Sequence, residues 1–505
     1  MEKLAVIKLN PDNIKLQFVN FIRNKSFIVY DEVNMPVNLT KDFYSDYFIK
    51  PAIIKEVIST LKVFKRMLDV EGITETLCFA TSLLNEAKNN NGFLDQIESV
   101  SGLRFKIIDP AEECNYIYMA IINSFNKPKG VIFNLSNYYT SFVYYNRRNI
   151  IDSCTINLGY ENMYNKYVVN QGLSGNELFK AVSDEYLTEL KKYEWTLNLP
   201  DEFEVITTGN MFVNLASISR KARKYPIEVV HNYKMNKDDC EKVYNVLKNQ
   251  DMTKTTKVKG ISIEDSKYLQ VAFTMINTYL QNSNRDEISV SKTGFIEGVL
   301  FNHIIPLTLE KPISDTLGYS LNAINDFYDN GNPRAIKVYD ICMMLFKQLK
   351  VLHKLGRSYV RVLRIASYLY NSGLRINSSD KEKIAFNIIL NSNLYGVTHT
   401  EIVLAAFVSL ISEADNFNLS DWIKYRDLVS DEELANVKKL AVILKIAQSL
   451  DITGFGSVED LNCDILGDSV IIKTVVKEDA SLEIKHAMLY GNEFKKAYNK
   501  NLEIL

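Results

Sequence analysis

Alternating apolar and polar positions open the chain, and the same arrangement returns once. Residues Leu4–Leu9 alternate and lead into the turn-forming cluster Asn10–Asn13, after which Ile14 and Leu16 share one face. This pattern predicts a strand, a turn and a second strand. A matching layout occupies residues 131–145. Two copies of one layout predict a duplicated α/β domain with a cleft between the copies.

A helical spacing of three and four residues follows these units. Apolar residues recur at that spacing from Ile54 to Leu68, after a proline at position 51. A strand is predicted at 76–80, a helix from about Ser82 and another strand at Phe105–Ile108. Further helices are predicted at 175–192, 210–223, 237–249 and 264–283.

Beyond residue 310 the strand pattern almost disappears. Helical spacing there predicts an all-α module with helices at 334–355, 359–371, 380–391, 399–414 and 431–450. The final segment returns to alternation, at Val470 and Ile472 and again at Leu482 and Ile484. We therefore predict α/β domains at 1–123 and 124–307, a helical domain at 308–455 and a small β-rich segment at 456–505.

Composition and charge narrow the class of protein. The 505 residues are 47% hydrophobic and 24% charged, as in globular proteins of two to four domains. No apolar run approaches the roughly 18 residues that cross a bilayer, and no secretory signal opens the chain. The six cysteines are scattered, which favours reduced thiols and a cytoplasmic protein without a membrane partner. A net charge of −2 predicts no nucleic-acid partner and only local sites for polyanions.

Five short strings, in a fixed order, carry a family resemblance. They are ATSLLNEAKN at 80–89, DPAEEC at 109–114, HNY at 231–233, SVSKTGFIEG at 289–298 and FKKAYNKNLEI at 494–504. They resemble the segments A-T-S-A-x-R-x-A-x-N, S-G-x-E-E-A, L-H-x-Y and V-S-x-x-G-x-R-E-G of the exopolyphosphatase/guanosine pentaphosphate phosphatase (Ppx/GppA) family and that family's ending.

The resemblance implies a fold and a chemistry. It implies two sugar-kinase/actin-like (ribonuclease H-like) α/β domains, a helical HD-like module and a homodimer. It also implies a hydrolase that releases phosphate from phosphoanhydride ends, with Glu112 and Glu113 at the position of the catalytic acidic pair. Polyphosphate and guanosine tetra- or pentaphosphate are the candidate ligands. Mg²⁺ is expected only if the chain is catalytic; otherwise no cofactor is expected.

The phosphate loops depart from the family pattern. D-x-G-S-N-S falls on residues 8–13, D-x-G-G-G-S-T-E on 134–141 and G-T-G-G-T on 207–211, where one glycine remains. Lys8 replaces an acid with the opposite charge, and Pro11 removes a backbone donor. The degenerate phosphate-binding positions are Lys8, Asn10, Asp12, Asn13, Asn134, Ser136, Asn137, Thr140 and Gly209. These changes favour a protein that has lost catalysis.

The helical module departs from its pattern as well. The H-D-x-G position reads Tyr-Asn-Ser-Gly at 370–373, and the following His-Lys-His region reads Asp-Lys-Glu at 380–382. The five histidines, at 231, 303, 353, 399 and 486, are dispersed. Because an HD site needs clustered His and Asp ligands, we expect a helical scaffold without a metal.

Alternative interpretations accompany two of these sites. Asp109, Pro110 and Glu112 also fit a helix cap, a first-turn proline and a capping-box acid. The basic run at 220–224 fits either a polyanion contact or a solvated helix face. Two functions follow: a non-catalytic binding or regulatory protein for a phosphorylated ligand or a protein partner, or a working exopolyphosphatase built on Glu112 or Glu113.

Overall fold

The computed structural model describes residues 2–22, 26–147, 149–248, 261, 263–305, 313–329, 333–413 and 417–505. The chain divides into two compact units. The first unit comprises Met1–Arg223 and Val230–Tyr319, and the second comprises Lys224–Val229 and Ser320–Leu505. The helix Thr316–Asp329 carries the chain from one to the other.

The first half of the first unit is built on a five-stranded sheet. Its strands are β1 (Glu2–Leu9), β2 (Asn13–Ile22), β3 (Ser26–Pro36), β4 (Thr76–Ala80) and β5 (Phe105–Ile107), in the order β3-β2-β1-β4-β5. The hairpin strands β1, β2 and β3 are antiparallel, whereas β1, β4 and β5 run parallel. The helices are α1 (Pro51–Glu71), α2 (Asn90–Ser101) and α3 (Pro110–Ser124), with short turns of helix at Phe43–Ser45 and Ser82–Glu86.

The second half repeats the arrangement with six strands. These are β6 (Lys129–Leu135), β7 (Thr140–Asn146), β8 (Asn149–Ile156), β9 (Glu204–Thr208), β10 (Tyr233–Asn236) and β11 (Glu287–Val290), in the order β10-β11-β9-β6-β7-β8. The helices are α4 (Tyr160–Tyr164), α5 (Gly175–Leu190), α6 (Asn210–Ala222), Lys237–Lys248, Ile263–Ser266, Leu269–Asn282 and Phe295–Ile304, with shorter helical turns at Asn165–Val169 and Lys191–Thr196.

The alternation in β2 explains how one sheet serves both a core and a cavity. Ile14 and Leu16 are fully buried and belong to the core cluster that also contains Val57 of α1. Because side chains alternate across a strand, Lys15 and Gln17 point to the opposite face. The predicted strand-turn-strand units at the start of each half of the first unit are confirmed.

The second unit is helical, with a small sheet near its end. Its helices after the connecting one are Arg334–Gln348, Lys350–His353, Ser358–Leu369, Lys381–Asn391, His399–Glu413, Leu419–Ile423, Asp431–Ser449, Ser481–Met488 and Gly491–Tyr498. The strands β12 (Val458–Leu466), β13 (Ser469–Val476) and β14 (Asn501–Ile504) form a three-stranded sheet. None of the helices in the described ranges is long and apolar enough to span a bilayer.

Four predictions about the elements need correction. The helix predicted from about Ser82 is only a short turn of helix at Ser82–Glu86, and α2 begins at Asn90. The helix predicted at 334–355 is divided into Arg334–Gln348 and Lys350–His353. Leu482 and Ile484 lie in the helix Ser481–Met488, not in a strand. The Asp479 carboxylate accepts a hydrogen bond from the Ser481 backbone N–H at 3.0 Å, just before the helix begins. A few alternating residues do not distinguish the period of a strand from that of a helix. The helix predicted at 264–283 is interrupted, since Ile263–Ser266 and Leu269–Asn282 are separate. Residues 249 and 414, the last of two predicted helices, lie outside the described residues.

Candidate functional site

A cavity of about 460 Å³ lies between the two halves of the first unit. The β1–β2 hairpin lines one side, and the turn after β6 and the start of α6 line the other. We call it the inner cavity. The predicted site residues that line it are Lys8, Asn10, Asp12, Asn13, Glu113, Asn134, Ser136, Asn137 and Gly209. The structure therefore gathers most of the predicted positions around one space.

Two predicted residues are not part of that lining. Thr140 is fully buried, and its hydroxyl donates to the Leu158 carbonyl oxygen at 2.7 Å. The Glu112 carboxylate pairs with the Lys106 ammonium group near the surface. Both side chains are thus occupied by neighbours of the fold.

An ion pair stands at the centre of the inner cavity's wall. The Lys8 Nζ atom lies 2.7 Å from the Glu113 Oε1 atom, and the two side chains are only 14% and 15% exposed. The same Nζ atom lies 4.1 Å from the centre of the Phe295 ring, a distance at which an ammonium group is attracted to the ring face. Lys8 and Glu113 therefore satisfy each other, and an aromatic ring covers the lysine.

The local sequence explains why Glu113 reaches this position. Asp109 caps α3, because its carboxylate accepts from the Glu112 backbone N–H at 2.8 Å, and Pro110 takes the first helical position. The capping interpretation of Asp109 and Pro110 is confirmed, whereas the capping-box role predicted for Glu112 is wrong, because its carboxylate pairs with Lys106. The cap also sets the direction of the first turn, in which Glu113 faces the cavity and Glu112 does not.

The turn after β6 carries two tyrosines, Tyr138 in place of a family glycine and Tyr139 in place of the family serine. Tyr138 and Tyr139 both line a second, larger cavity of about 980 Å³, which we call the outer groove. Their neighbours Ser136 and Asn137 line the inner cavity. One turn therefore contributes to both spaces. Because glycine lets the backbone approach a phosphate and a tyrosine ring fills that room, this turn cannot form the family's phosphate cradle.

The turn is held by polar contacts with α4. The Asn137 Nδ2 atom donates to the Glu161 carboxylate at 2.8 Å, and the Tyr160 hydroxyl donates to the Asn137 Oδ1 atom at 2.7 Å. A Cβ atom at Gly159 would lie 2.3 Å from the Asn137 carbonyl oxygen. The asparagine that replaces a family glycine thus has a structural role here.

Two glycines of the resemblance are needed for the fold. Gly209 has a φ of 113°, and a Cβ atom there would lie 2.7 Å from the Leu135 carbonyl oxygen. At Gly298 a Cβ atom would lie 1.8 Å from the Tyr116 carbonyl oxygen, where α3 packs on the helix Phe295–Ile304. Close backbone approach explains their presence without any ligand.

The charge around the inner cavity is mixed and leans towards negative. Among its described lining residues, five carboxylates meet three ammonium groups: Asp12, Glu32, Glu113, Asp265 and Glu297 against Lys8, Lys15 and Lys292. Burial, together with the charges of Glu161 and Asp265, raises the pKa of Asp12 to about 6. Burial is the largest cause of this shift, and the two neighbouring carboxylates add to it.

A resident divalent cation does not fit these residues. Among the residues that the structure describes, no group of three or more His, Cys, Asp or Glu side chains could hold a metal ion. Lys8 places a positive charge where the resemblance puts a metal-side acid, and Glu113 is already neutralised by it. Mg²⁺ prefers several oxygen ligands, so this wall offers it no first shell.

The predicted basic run lies away from both cavities. Arg220 is buried, at 8% exposure, and Arg223 pairs with Asp239 at 2.8 Å. None of the residues 220–224 belongs to the described lining of the inner cavity or the outer groove. Lys221, Arg223 and Lys224 are exposed, as the interpretation of a solvated helix face predicts, whereas the buried Arg220 departs from it.

The position that resembles an HD motif, in the second unit, holds a cluster of ion pairs. Lys381 lies 2.9 Å from the Glu413 carboxylate, and Lys445 lies 3.4 Å from it. A Cβ atom at Gly373 would lie 2.2 Å from the Lys381 carbonyl oxygen, so the one retained residue of the motif is a packing glycine. Lys381 and Lys445 therefore neutralise the Glu413 carboxylate, as Lys8 neutralises Glu113 in the first unit.

Some cavity residues escaped the sequence argument. Phe295 covers Lys8, and Gln17 and Glu32 line the cavity from the polar face of the hairpin. The alternation of β2 could have identified Gln17, because residues between the core positions of a strand point to the opposite face of the sheet. Phe295 gave no signal, since its role depends on the approach of a distant helix.

Comparisons with known proteins agree with this geometry. The model of the Ppx/GppA phosphatase family matches residues 23–305. The chain is 23% identical over 239 residues to a bifunctional 3-dehydroquinate synthase/phosphatase of Fusobacterium nucleatum, and 22% identical over 133 residues to exopolyphosphatase 1 of Mycobacterium leprae. These segments cover 45% and 26% of this chain and 34% and 39% of the two relatives, so the chain spans well under half of each relative.

Solved structures share the fold at low identity. The Ppx/GppA family member of Aquifex aeolicus has a TM-score of 0.54 and 19% identity, and covers 61% of this chain and 99% of its own. An exopolyphosphatase of Cytophaga hutchinsonii has a TM-score of 0.54 and 16% identity, and covers 60% of this chain and 98% of its own. The mixed α/β architecture and the family match over more than half of the sequence establish that this chain belongs to the Ppx/GppA phosphatase family.

Proposed function

We propose that this chain is a non-catalytic or very weakly catalytic member of its family, which binds and regulates and does not turn over a phosphoanhydride. The observation that carries the proposal is the ion pair between Lys8 and Glu113. Hydrolysis of a phosphoanhydride requires charge neutralisation by a cation and a base that orients water. Here the candidate base is bound by a lysine of the same chain.

The altered loops support the same conclusion. Ser136, Asn137 and Tyr138 stand where the family has glycines, and Pro11 offers no N–H to a phosphate oxygen. The loss of one charge-stabilising donor lowers a rate by about 10²–10³. Several are replaced together here, so a combined loss beyond about 10⁴ is expected even though the effects do not multiply simply.

The occupant of the cleft remains a prediction: a phosphorylated ligand, such as a short polyphosphate or guanosine tetraphosphate, or a protein partner. The surplus of carboxylates in the described lining weakens the attraction of the inner cavity for a polyanion. A phosphorylated ligand should therefore bind loosely and release readily when salt is added. A cytoplasmic location, proposed from the scattered cysteines, and a homodimer, proposed from the resemblance alone, stay part of the proposal.

One observation favours the alternative of a working exopolyphosphatase. Glu113 and most of the predicted loop residues line a single cavity, so the groups that remain are gathered in one place. If a phosphate drew Lys8 away, Glu113 could accept a proton from water. A chain that works in this way should depend on both side chains.

Phosphate release decides between the two. The chain would be incubated with Mg²⁺ and long-chain polyphosphate, and separately with guanosine pentaphosphate, beside the variant Glu113→Gln. The proposal expects no release above background and no difference between the two proteins. Release at about 1 s⁻¹ or faster, abolished by Glu113→Gln, would establish the exopolyphosphatase instead.

A further inference from the structure

The outer groove is not used by the proposed function. Its volume of about 980 Å³ lies at the upper end of the range of small-molecule pockets. One wall comes from the segment 38–45 and the turn Ser82–Glu86 of the first half, and the other comes from residues 157–170 of the second half, with Lys267 and Tyr268. The groove and the inner cavity share none of their described lining residues, so the groove is a separate space.

Uncharged hydrogen-bonding side chains dominate the lining of the groove. Of its 21 described residues, 13 carry an amide or a hydroxyl group and only three are apolar. Tyrosine supplies four of the 21, against 29 of 505 in the whole chain. The amides belong to Asn38, Asn85, Asn157, Asn162, Asn165 and Asn170. Because most small-molecule pockets are lined by apolar side chains, this groove suits a ligand that is itself rich in polar groups.

Four of these amides are free to contact a ligand. The side chains of Asn85, Asn157, Asn165 and Asn170 make no hydrogen bond to any residue that the structure describes, and all four are exposed or half-exposed. An amide offers two donor hydrogens and an acceptor oxygen. It therefore matches a hydroxyl group, which also donates and accepts, better than it matches a charged group, which does only one of these.

The charges in the groove nearly cancel. Its described lining has three carboxylates and two ammonium groups: Asp42, Glu86, Glu161, Lys166 and Lys267. Lys166 already lies 2.7 Å from the Glu185 carboxylate, and the Lys267 Nζ atom lies 4.5 Å from the centre of the Tyr268 ring. Asn85 stands at the arginine of the segment A-T-S-A-x-R-x-A-x-N, so an amide replaces a cation there. Neither a polyanion nor a polycation meets a matching excess of charge, and a neutral ligand fits best.

The rim of the groove is held in place by the fold. Asp42 and Tyr47 have φ values of 56° and 62°, a left-handed conformation that is strained for residues other than glycine. The Tyr47 carbonyl oxygen accepts from the Lys88 backbone N–H at 2.9 Å, and the Thr40 hydroxyl donates to the Glu161 carboxylate of the second half at 3.2 Å. Strained backbone that neighbours hold in this way occurs at ligand-binding sites, and a fixed rim lowers the entropy cost of binding.

One exposed aromatic ring lies on this rim. Tyr44 lines the groove and is 43% exposed, and its ring packs at 5.4 Å on the fully buried Phe43 ring. The face of an aromatic ring is negative. The C–H bonds on one face of a sugar ring carry a small positive charge, so that face can pack on Tyr44.

We propose that the outer groove binds a neutral oligosaccharide of a few sugar units. Each unit has several hydroxyl groups, which the free amides can satisfy, and a C–H face for Tyr44. A peptide would need pockets for its apolar side chains, and the described apolar lining is limited to Phe43, Pro110 and Val169. The site uses no residue of the inner cavity, so it does not depend on the proposed function.

The test uses the full chain and three neutral hexasaccharides: maltohexaose, cellohexaose and chitohexaose. Saturation-transfer difference nuclear magnetic resonance detects binding, and isothermal titration calorimetry measures its affinity. Spermidine and guanosine tetraphosphate are the charged comparisons. Tyr44→Ala/Asn165→Ala removes one ring and one amide from the groove. Phe455→Ala/Asn115→Ala removes an exposed ring and an exposed amide that line neither cavity.

At least one hexasaccharide should bind to wild type. The groove variant should bind it at least about ten times more weakly, because a stacking contact and a hydrogen bond are lost together. The control variant should stay close to wild type. In wild type, the bound sugar should slow hydrogen exchange in the segments 38–45 and 157–170 and leave residues 8–13 unchanged. This second measurement does not depend on the folding of a variant.

Four results would overturn the proposal. The first is no binding of any of the three hexasaccharides. The second is an equal loss of affinity in the groove and control variants. The third is sugar-dependent protection at residues 8–13 without protection of the groove segments, which would place the sugar in the inner cavity. The fourth is protection of the groove segments by spermidine or guanosine tetraphosphate alone, which would assign the groove to a charged ligand.

Discussion

Two places in this molecule, one in each unit, are positions where the family resemblance would put a metal, and each holds lysine. In the first unit one lysine faces one carboxylate, Lys8 and Glu113, with both side chains nearly buried. In the second unit one carboxylate, Glu413, binds Lys381 and Lys445, whose side chains are 30% and 20% exposed. In both units, therefore, a lysine side chain supplies the positive charge at the position where the resemblance would place a metal ion.

The difference between the two clusters teaches what each depends on. In the first unit one ammonium group neutralises one carboxylate, and the Phe295 ring covers the lysine. In the second unit two ammonium groups pair with one carboxylate, so removal of that carboxylate leaves both of them without this partner. Each region also contains a buried acid whose pKa is raised, Asp12 in the first and Asp451 in the second, chiefly by burial.

The largest effect should come from the acid that binds two lysines. Glu413→Gln removes the charge between Lys381 and Lys445 and leaves two ammonium groups facing each other. Loss of a partner from a buried pair costs about 3–5 kcal/mol, and partial exposure of these lysines reduces our expectation to about 2–3 kcal/mol. Urea denaturation followed by circular dichroism measures it.

Asp380→Asn is the matched control, because it removes the exposed pair between Asp380 and Lys383 in the same unit. Such a pair is worth less than about 0.5 kcal/mol. Similar losses for Glu413→Gln and Asp380→Asn would show that the cluster does not stabilise the helical unit.

The pair in the first unit should show coupling. Lys8→Met and Glu113→Gln should each destabilise the chain by about 1–2 kcal/mol, because each leaves a half-buried partner unsatisfied. The double variant should cost less than the sum of the two, with a coupling free energy of about 1 kcal/mol or more in a double-mutant cycle. Strict additivity would mean that the two side chains do not stabilise each other.

Asp12 should make the stability of the first unit depend on pH. Its pKa is raised from an ordinary value near 4 to about 6 in the folded chain. The folded state then binds the proton more tightly than the unfolded state, so stability falls as pH rises from about 4 through about 6.

Asp12→Asn should remove this fall and exceed wild type by about 1–2 kcal/mol at neutral pH, with little difference at pH near 4. Thermal unfolding over that range is the measurement, and Asp451→Asn gives the comparison in the second unit. A wild-type chain that gains stability between pH 4 and 7 through Asp12 would contradict the assignment.

The smallest effect concerns magnesium. Wild type should be indifferent to Mg²⁺ or a chelator, because Lys8 already neutralises Glu113. Lys8→Ser frees this carboxylate in the cavity that Asp12 also lines, and millimolar Mg²⁺ should then stabilise the variant by about 1 kcal/mol or less through binding to the folded state. Differential scanning fluorimetry with and without Mg²⁺ tests this. Equal stabilisation of wild type would show that the native site accepts the cation.

Sequence patterns predicted the elements well where the period was long. The helix predicted at 431–450 is found at Asp431–Ser449, and the hairpins that open both α/β halves are confirmed. The strand predicted from the alternation of Leu482 and Ile484 was wrong, because so few residues fit the period of either a strand or a helix. The four-domain division and the roles of the site residues stay predictions.

The sequence by itself determined the family, the loss of the phosphate loops and the reversed charge at Lys8, because identity and order of residues are enough for these. Only the tertiary structure decided that Lys8 meets Glu113, 105 positions away, and that Glu112 does not share its role. Such pairings depend on how distant elements pack, and local periodicity contains no information about that.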